Sequence, residues 1–269
     1  MVQPRKSLGQ HWLSDKESLK AICSVAGISS RDVILEVGPG LGSLTELLVR
    51  RAREVIAVEK DEELAKRLIA RNIATNLHIF TADILDFNLS RLPSGYKIVA
   101  NIPYYLTSRL IRIISESENP PICAVLLMQK EVAERVASKP GNMSILSVTA
   151  QYFWEVSLGD VIPRKLFIPP PKVDSRVLIL RRREKPMFPD VAVEQYLQLV
   201  KIGFSSRRKT IQNSFVSKLK VNKDEASHIL RNAGIDMTTR PQELSLQNWY
   251  DIFLVLIELD LIKNIKNQN

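Results

Sequence analysis

The chain has 269 residues, 45% of them hydrophobic and 25% charged, fractions ordinary for a globular protein with ample material for a core. Its formal net charge of +9 and pI of about 9.6 suit a polyanionic partner, although charge alone does not separate nucleic acid from an anionic membrane. No apolar run approaches the length of a membrane span, residues 1–15 lack the apolar core of a signal peptide, and three scattered histidines with two cysteines lack metal-ligand spacing, so no membrane and no metal are expected.

Apolar runs of strand length alternate with longer amphipathic stretches through the first two-thirds. Residues 32–38 (DVILEVG), 54–60 (EVIAVEK), 77–83 (LHIFTAD), 97–103 (KIVANIP) and 123–129 (CAVLLMQ) read as buried strands. Residues 43–52 and 62–73 between them carry apolar positions at helical spacing. Such alternation predicts a largely parallel sheet with helices on both faces. Residues 156–162 and 175–182 read as two further strands around a Pro-rich turn, FIPPPKVD (167–174). Cys23 and Cys123 lie in apolar contexts and read as buried free thiols of a reducing compartment, with the cytoplasm as the expected location. A linker, EKPMFPD (184–190), is followed by four helical stretches and no strand. An α/β domain is therefore expected over 1–187 and a helical domain over 188–269.

The segment Leu-Glu-Val-Gly-Pro-Gly-Leu-Gly-Ser (35–43) leaves a strand and opens a helix. Gly38 and Gly40 let the backbone turn tightly and approach a ligand. Glu59 ends the next strand 21 residues after Gly38, where a carboxylate can accept from both hydroxyls of a ribose. A dinucleotide turn would carry its third glycine where Ser43 stands. The form found here, with glycine at 42, is commoner for S-adenosylmethionine, and the loop alone favours that cofactor only modestly. Asp83, at the end of the third strand, can accept from an adenine amino group or simply cap a loop.

Asn101-Ile102-Pro103-Tyr104 ends a further apolar strand. It puts a side-chain amide, a rigid turn and an aromatic ring where open α/β sheets bind ligands. Methyl transfer to an aromatic amine needs such a set, because the adenine N6 lone pair is delocalised into the ring. The Asn101 oxygen and the Pro103 (or Ile102) carbonyl would accept the amino hydrogens and aim the lone pair, while Tyr104 would stack on the extruded base.

Six motifs in order, SLGQHWL (7–13), EVGPGLGSLTE (36–46), NIPYYLTS (101–108), MQKEVAERV (128–136), FIPPPKVDS (167–175) and FSSRRKTIQNS (204–214), make the chain resemble the small-subunit ribosomal RNA adenine dimethyltransferases from Lys6 to about Phe253. The resemblance implies a Rossmann-like class I methyltransferase domain with a mainly parallel seven-stranded sheet. It also implies S-adenosylmethionine as cofactor and dimethylation at N6 of two adjacent adenosines in the 3′-terminal hairpin loop of 16S-type RNA, within the immature small subunit. By the same resemblance Gly38, Gly40, Glu59, Asp83 and Asn101 contact the cofactor, Leu13 lies against it, and Phe167 closes the second face of the flipped adenine. The family commonly reads Gln-Asn-Phe-Leu where this chain has Gln10-His11-Trp12-Leu13, and His11 takes the position of a cofactor contact.

Basic residues gather at 181–220, where ten Lys or Arg face three Asp or Glu, +7 of the +9 total. A charge run is usually a solvated face. Arg181, Arg182 and Arg183, with Arg207, Arg208 and Lys209, are expected to track phosphates at the domain junction beside the base pocket, and Arg5 and Lys6 to extend the groove. A monomer is expected. Three other readings remain open: a macrolide-resistance methyltransferase acting on large-subunit RNA, a ribosome-assembly factor that mainly binds, and an NAD-dependent oxidoreductase. The last would want a proton-relay pair and a third phosphate-binding glycine, and the sequence offers neither.

Overall fold

The computed structural model describes residues 4–5, 8–206 and 208–266 and comprises two compact units, each built from two stretches of chain. The first takes residues 1–134 with 155–182, the second 135–154 with 183–269. The boundary expected at 187–188 falls near the crossing at 182–183, but the chain also crosses at 134–135 and 154–155.

The first unit opens with β1 (Trp12–Leu13) and α1 (Lys16–Val25), whose N-terminus is capped by Asp15 accepting from the Ser18 N–H. Then come β2 (Val33–Val37), α2 (Thr45–Leu48), β3 (Glu54–Glu59), α3 (Glu62–Ala70), β4 (Leu77–Thr81), β5 (Lys97–Asn101), α4 (Thr107–Glu116), β6 (Cys123–Gln129) and α5 (Lys130–Val136). After α6 (Ile145–Phe153) the sheet resumes with β7 (Trp154–Ile162), β8 (Phe167–Ile168) and β9 (Ser175–Arg182). The seven-stranded sheet runs β4-β3-β2-β5-β6-β9-β7, parallel through its first five strands and antiparallel from β6 to β9. Strands β2, β3 and β6 are buried at nearly every position, as parallel strands covered on both faces must be. Of the helix expected over 43–52 only four residues are regular, because the Arg53 N–H reaches the Asp32 carbonyl (2.9 Å) and turns the chain into β3.

A separate two-stranded ladder pairs β1 with β8, Trp12 opposite Ile168 and Leu13 opposite Phe167. Nothing in either segment's periodicity predicts it. Leu13, Ile22, Cys23, Ile34, Val99, Leu127 and Phe167 share one apolar core on this side of the sheet.

The second unit contains the four expected helices, α7 (Val193–Gly203), α8 (Ile211–Lys218), α9 (Lys223–Asn232) and α10 (Leu246–Glu258), and ends on a short α11 (Lys263–Lys266). Asn222 with Glu225 and Ser245 with Asn248 form capping boxes that start α9 and α10. Residues 135–154 join this unit because Met143, Val148 and Tyr152 pack in the same cluster as Tyr196, Phe215, Trp249 and Phe253. The Tyr152 hydroxyl donates to the Phe188 carbonyl (2.9 Å), and the Phe188 ring stacks on Tyr250 with centroids 4.2 Å apart. Among the described residues no helix is long and apolar enough to cross a membrane.

Gly203, on α7, has no room for a side chain: a Cβ there would clash with the edge of the Trp249 ring, at Cη2 and Cζ3, and stand 2.8 Å from Ile211 Cδ1. Gly203→Ala is expected to destabilise the helical unit by about 1–3 kcal/mol through overpacking, read as a lower urea midpoint. An unchanged midpoint would show that Trp249 moves aside freely.

Candidate active site

Strands β3, β2 and β5 are parallel neighbours, so their carboxyl ends emerge on one edge of the sheet. That edge carries the loop after β2, Glu59 at the end of β3 and Asn101 at the end of β5. They line a cleft of about 970 Å³, counting its open mouth, together with Asp83, Tyr104 and residues 8–13.

Gly38, Gly40 and Gly42 all have positive φ (68°, 57° and 84°). At two of them space forbids a side chain as well: a Cβ on Gly40 would stand 2.8 Å from the Trp12 ring, and one on Gly42 2.6 Å from Leu68 Cδ1. Gly42, which matches no dinucleotide template, is thus required for packing against α3. The loop is tied to β3 by the Gly38 N–H donating to the Val58 carbonyl (2.9 Å) and the Gly40 N–H to Glu59 Oε2 (3.0 Å).

Glu59 Oε1 accepts from the Asp61 N–H at 2.8 Å. Burial pushes this carboxyl up, and the Asp61 and Gly40 N–H groups partly oppose that. Each oxygen keeps a second lone pair for a ligand hydroxyl. Asp83 accepts from the Lys60 ammonium (2.7 Å) and the Leu85 N–H (3.0 Å). Burial works against its ionisation but is outweighed by those two donors, so Asp83 is held below the usual carboxylate range.

Asn101 Nδ2 donates to the His11 carbonyl at 3.0 Å. A carbonyl can only accept, so this bond sets the amide's orientation and leaves Oδ1 as the acceptor on a residue that lines the cleft. The Pro103 carbonyl accepts from the Leu106 N–H (3.0 Å), closing a turn. The Tyr104 hydroxyl is held by Ser175 Oγ at 2.9 Å, which anchors that end of the ring. His11 lines the same cleft. Its ring stacks on Tyr104 with centroids 5.8 Å apart and planes 28° apart, and its Nδ1–H donates to the Pro169 carbonyl at 2.8 Å.

Three expectations meet a different arrangement. Phe167 does not line the cleft: it is 2% exposed and packs with Leu13 in the core, because the β1–β8 register sends both side chains to the same face. It is placed as a packing anchor. Arg181 and Arg182 are exposed, but Arg181 pairs with Cys123, the first residue of β6, whereas the end of that ladder beside Tyr104 is Gln129 with Ser175. Six residues of strand, about 20 Å, separate Arg181 from Ser175, so this pair does not flank the Tyr104 pocket. Arg5 forms ion pairs with Asp61 (3.4 Å) and Glu63 (3.6 Å), which anchor the N-terminal arm to the start of α3. Arg183 donates to the Gln151 carbonyl within the helical unit, where Arg208 and Lys209 are exposed; Lys6 and Arg207 lie outside the described residues.

Two cleft residues escaped the reading of the sequence. Trp12 covers Gly40. Glu36 is 1% exposed, and its Oε2 has no hydrogen-bond partner among the described residues. Burial, aided by the charge of Glu59, pushes the Glu36 carboxyl up to about 8. The signal was present, since one acid interrupts an otherwise apolar VILEV strand two residues before the first loop glycine.

Over residues 1–258 the sequence matches the family described as Ribosomal RNA adenine dimethylase. It is 36% identical to the Ribosomal RNA small subunit methyltransferase A of Dehalococcoides mccartyi, across 96% of this chain and 90% of that relative. A solved dimethyladenosine transferase from Plasmodium falciparum superposes with a TM-score of 0.79 at 27% identity, covering 92% of this chain and 98% of that one. The 23S rRNA methyltransferase ErmE superposes with a TM-score of 0.73 at 29% identity, covering 91% and 99%. Agreement at this extent in both sequence and fold establishes kinship: the chain belongs to the ribosomal RNA adenine dimethylase family.

Proposed function

We propose that this adenine dimethyltransferase uses S-adenosylmethionine to methylate N6 twice on each of two adjacent adenosines in the 3′-terminal hairpin loop of small-subunit ribosomal RNA, within the immature subunit. The observation that carries the reading is the fixed amide of Asn101. With Nδ2 held by His11, Oδ1 accepts from the amino group, and the Pro103 carbonyl, which retains a lone pair beyond its Leu106 bond, or that of Ile102 accepts from its second hydrogen. Those two bonds pyramidalise N6 and direct its lone pair. Tyr104, anchored at its hydroxyl by Ser175, offers a stacking face for the base.

The residues of the cleft fit the cofactor. Glu59 has acceptor capacity for ribose hydroxyls, Asp83 for an adenine amino group, and Leu13 contributes apolar wall. Glu36, whose Oε2 has no hydrogen-bond partner among the described residues and which feels the charge of Glu59, suits a ligand that carries positive charge. Bound there, the sulfonium supplies an electrophilic methyl and a neutral thioether leaving group, so this chain need provide no strong base. Positioning carries most of the rate. The proton displaced from N6 leaves to solvent.

Small-subunit RNA is favoured over large-subunit RNA by the name that the Dehalococcoides relative carries. The helical domain, with Arg208 and Lys209 exposed on it, is assigned to RNA and subunit contact. Incubation of unmethylated small subunits with labelled cofactor should yield N6,N6-dimethyladenosine at two neighbouring positions. Transfer only to large-subunit RNA would overturn the substrate assignment. Tyr104→Ala should leave cofactor affinity intact by calorimetry while turnover drops about a hundredfold or more. Turnover at the wild-type rate would remove Tyr104 from the site.

A pH prediction follows from Glu36. Between the ordinary value of 4.5 and about 8, the folded protein holds a proton that the unfolded chain has released, so stability falls as pH rises through that window. The melting temperature of the cofactor-free protein should therefore drop more from pH 5 to pH 8 in the wild type than in Glu36→Gln. Equal slopes would mean that Glu36 ionises normally.

A further inference from the structure

We infer that His11 is a positioning residue for the target base: its ring backs the Tyr104 platform while its backbone sets the Asn101 amide, so that one arm residue aligns both groups that handle the adenine. The inference rests on the proposed adenine N6 chemistry of this site and adds a role that the loop glycines and strand-end acids do not supply.

His11 is held from three directions. Its Nδ1–H donates to the Pro169 carbonyl at 2.8 Å. Because that oxygen can only accept, the bond assigns the hydrogen to Nδ1 and sets the plane of the ring. The residues that follow it, Trp12 and Leu13, are laddered to Ile168 and Phe167, which fixes its backbone. Its carbonyl takes the Asn101 Nδ2 hydrogen at 3.0 Å. Held in this way, the imidazole lies 5.8 Å from the Tyr104 ring, centroid to centroid, at 28°. A tyrosine secured only at its hydroxyl, by Ser175, could still rock about that point, and a ring stacked on it opposes the motion.

The side chain of His11 is thus engaged by Pro169 and Tyr104, which directs it to the base rather than to the cofactor. A gate that swung clear on every turnover would not be tied through both its ring and its backbone. The ring therefore acts as a fixed support.

The test compares His11→Ala, His11→Phe and His11→Asn on unmethylated small subunits, with the wild type as the reference for activity itself. Phe keeps a ring against Tyr104 and loses the Pro169 bond; Asn keeps a donor and loses the ring. The expected result is a three- to tenfold fall in kcat for Ala and Asn, the size of one aromatic contact, with the KM for subunits and the affinity for cofactor within about twofold of wild type. Phe should recover most of the rate. The N6-monomethyl product should accumulate in Ala and Asn, since the bulkier amine of the second transfer depends on the same alignment.

Three results would overturn the inference. Unchanged kcat in His11→Ala would mean that the ring supports nothing. A loss mainly of cofactor affinity would make His11 a cofactor contact. A faster Ala enzyme would show that the imidazole occupies the base's own place. If Ala fails to fold, judged by its melting temperature, the ranking of Phe above Asn decides, and the reverse ranking refutes the role. An inactive wild type would instead defeat the adenine chemistry on which the inference stands.

Discussion

Parallel pairing of β3, β2 and β5 is the constraint on which the site depends. Parallel strands place all their carboxyl ends on one edge, so a glycine loop, an acid and an amide that lie far apart in the chain meet without further arrangement. Glu59 then joins two of these ends, taking the Gly40 N–H on one oxygen and the Asp61 N–H on the other. The same carboxylate shapes the loop and lines the cleft. Loop geometry and ligand recognition are therefore a single problem, and glycine is demanded at 40 and 42 by the proximity of Trp12 and Leu68 as much as by positive φ.

The electrostatics of the cleft oppose those of the chain as a whole. Within a protein of net charge +9, the floor of the cleft holds two buried acids, Glu36 and Glu59, each raised by desolvation. Burial disfavours the ionised forms of both carboxyls, and a ligand that brings positive charge would lower that cost. The rim differs, since the Lys60 ammonium and the Leu85 N–H together outweigh the effect of burial on Asp83 and hold it below the usual carboxylate range.

The helical unit is stabilised by its own packing. Tyr152, Phe188, Tyr196 and Tyr250 form an aromatic cluster in which the buried Tyr152 and Tyr196 hydroxyls each find a backbone carbonyl, as such groups must away from water. It recruits α6 from the middle of the chain, so the unit is contiguous in space but interrupted in sequence.

The seven strands of the main sheet, the four C-terminal helices, the glycine loop and the cleft positions of Glu59 and Asp83 could all be read from the sequence. Each rests on local information: periodicity, turn chemistry, or an acid at a strand end. Glu36 was readable by the same logic, as an acid within a buried strand. What the sequence could not determine depends on which distant segments touch. The β1–β8 ladder joins residues 12–13 to 167–168, two pairs too short to carry any periodic signal. From that ladder follow the burial of Phe167, the placement of His11 against Tyr104 and the orientation of Asn101. The antiparallel register of β9 on β6 decided that Arg181 and Arg182 emerge at the end of the sheet away from Ser175 and Tyr104. Charge composition records how many arginines there are, but only strand direction determines which end of the sheet they occupy.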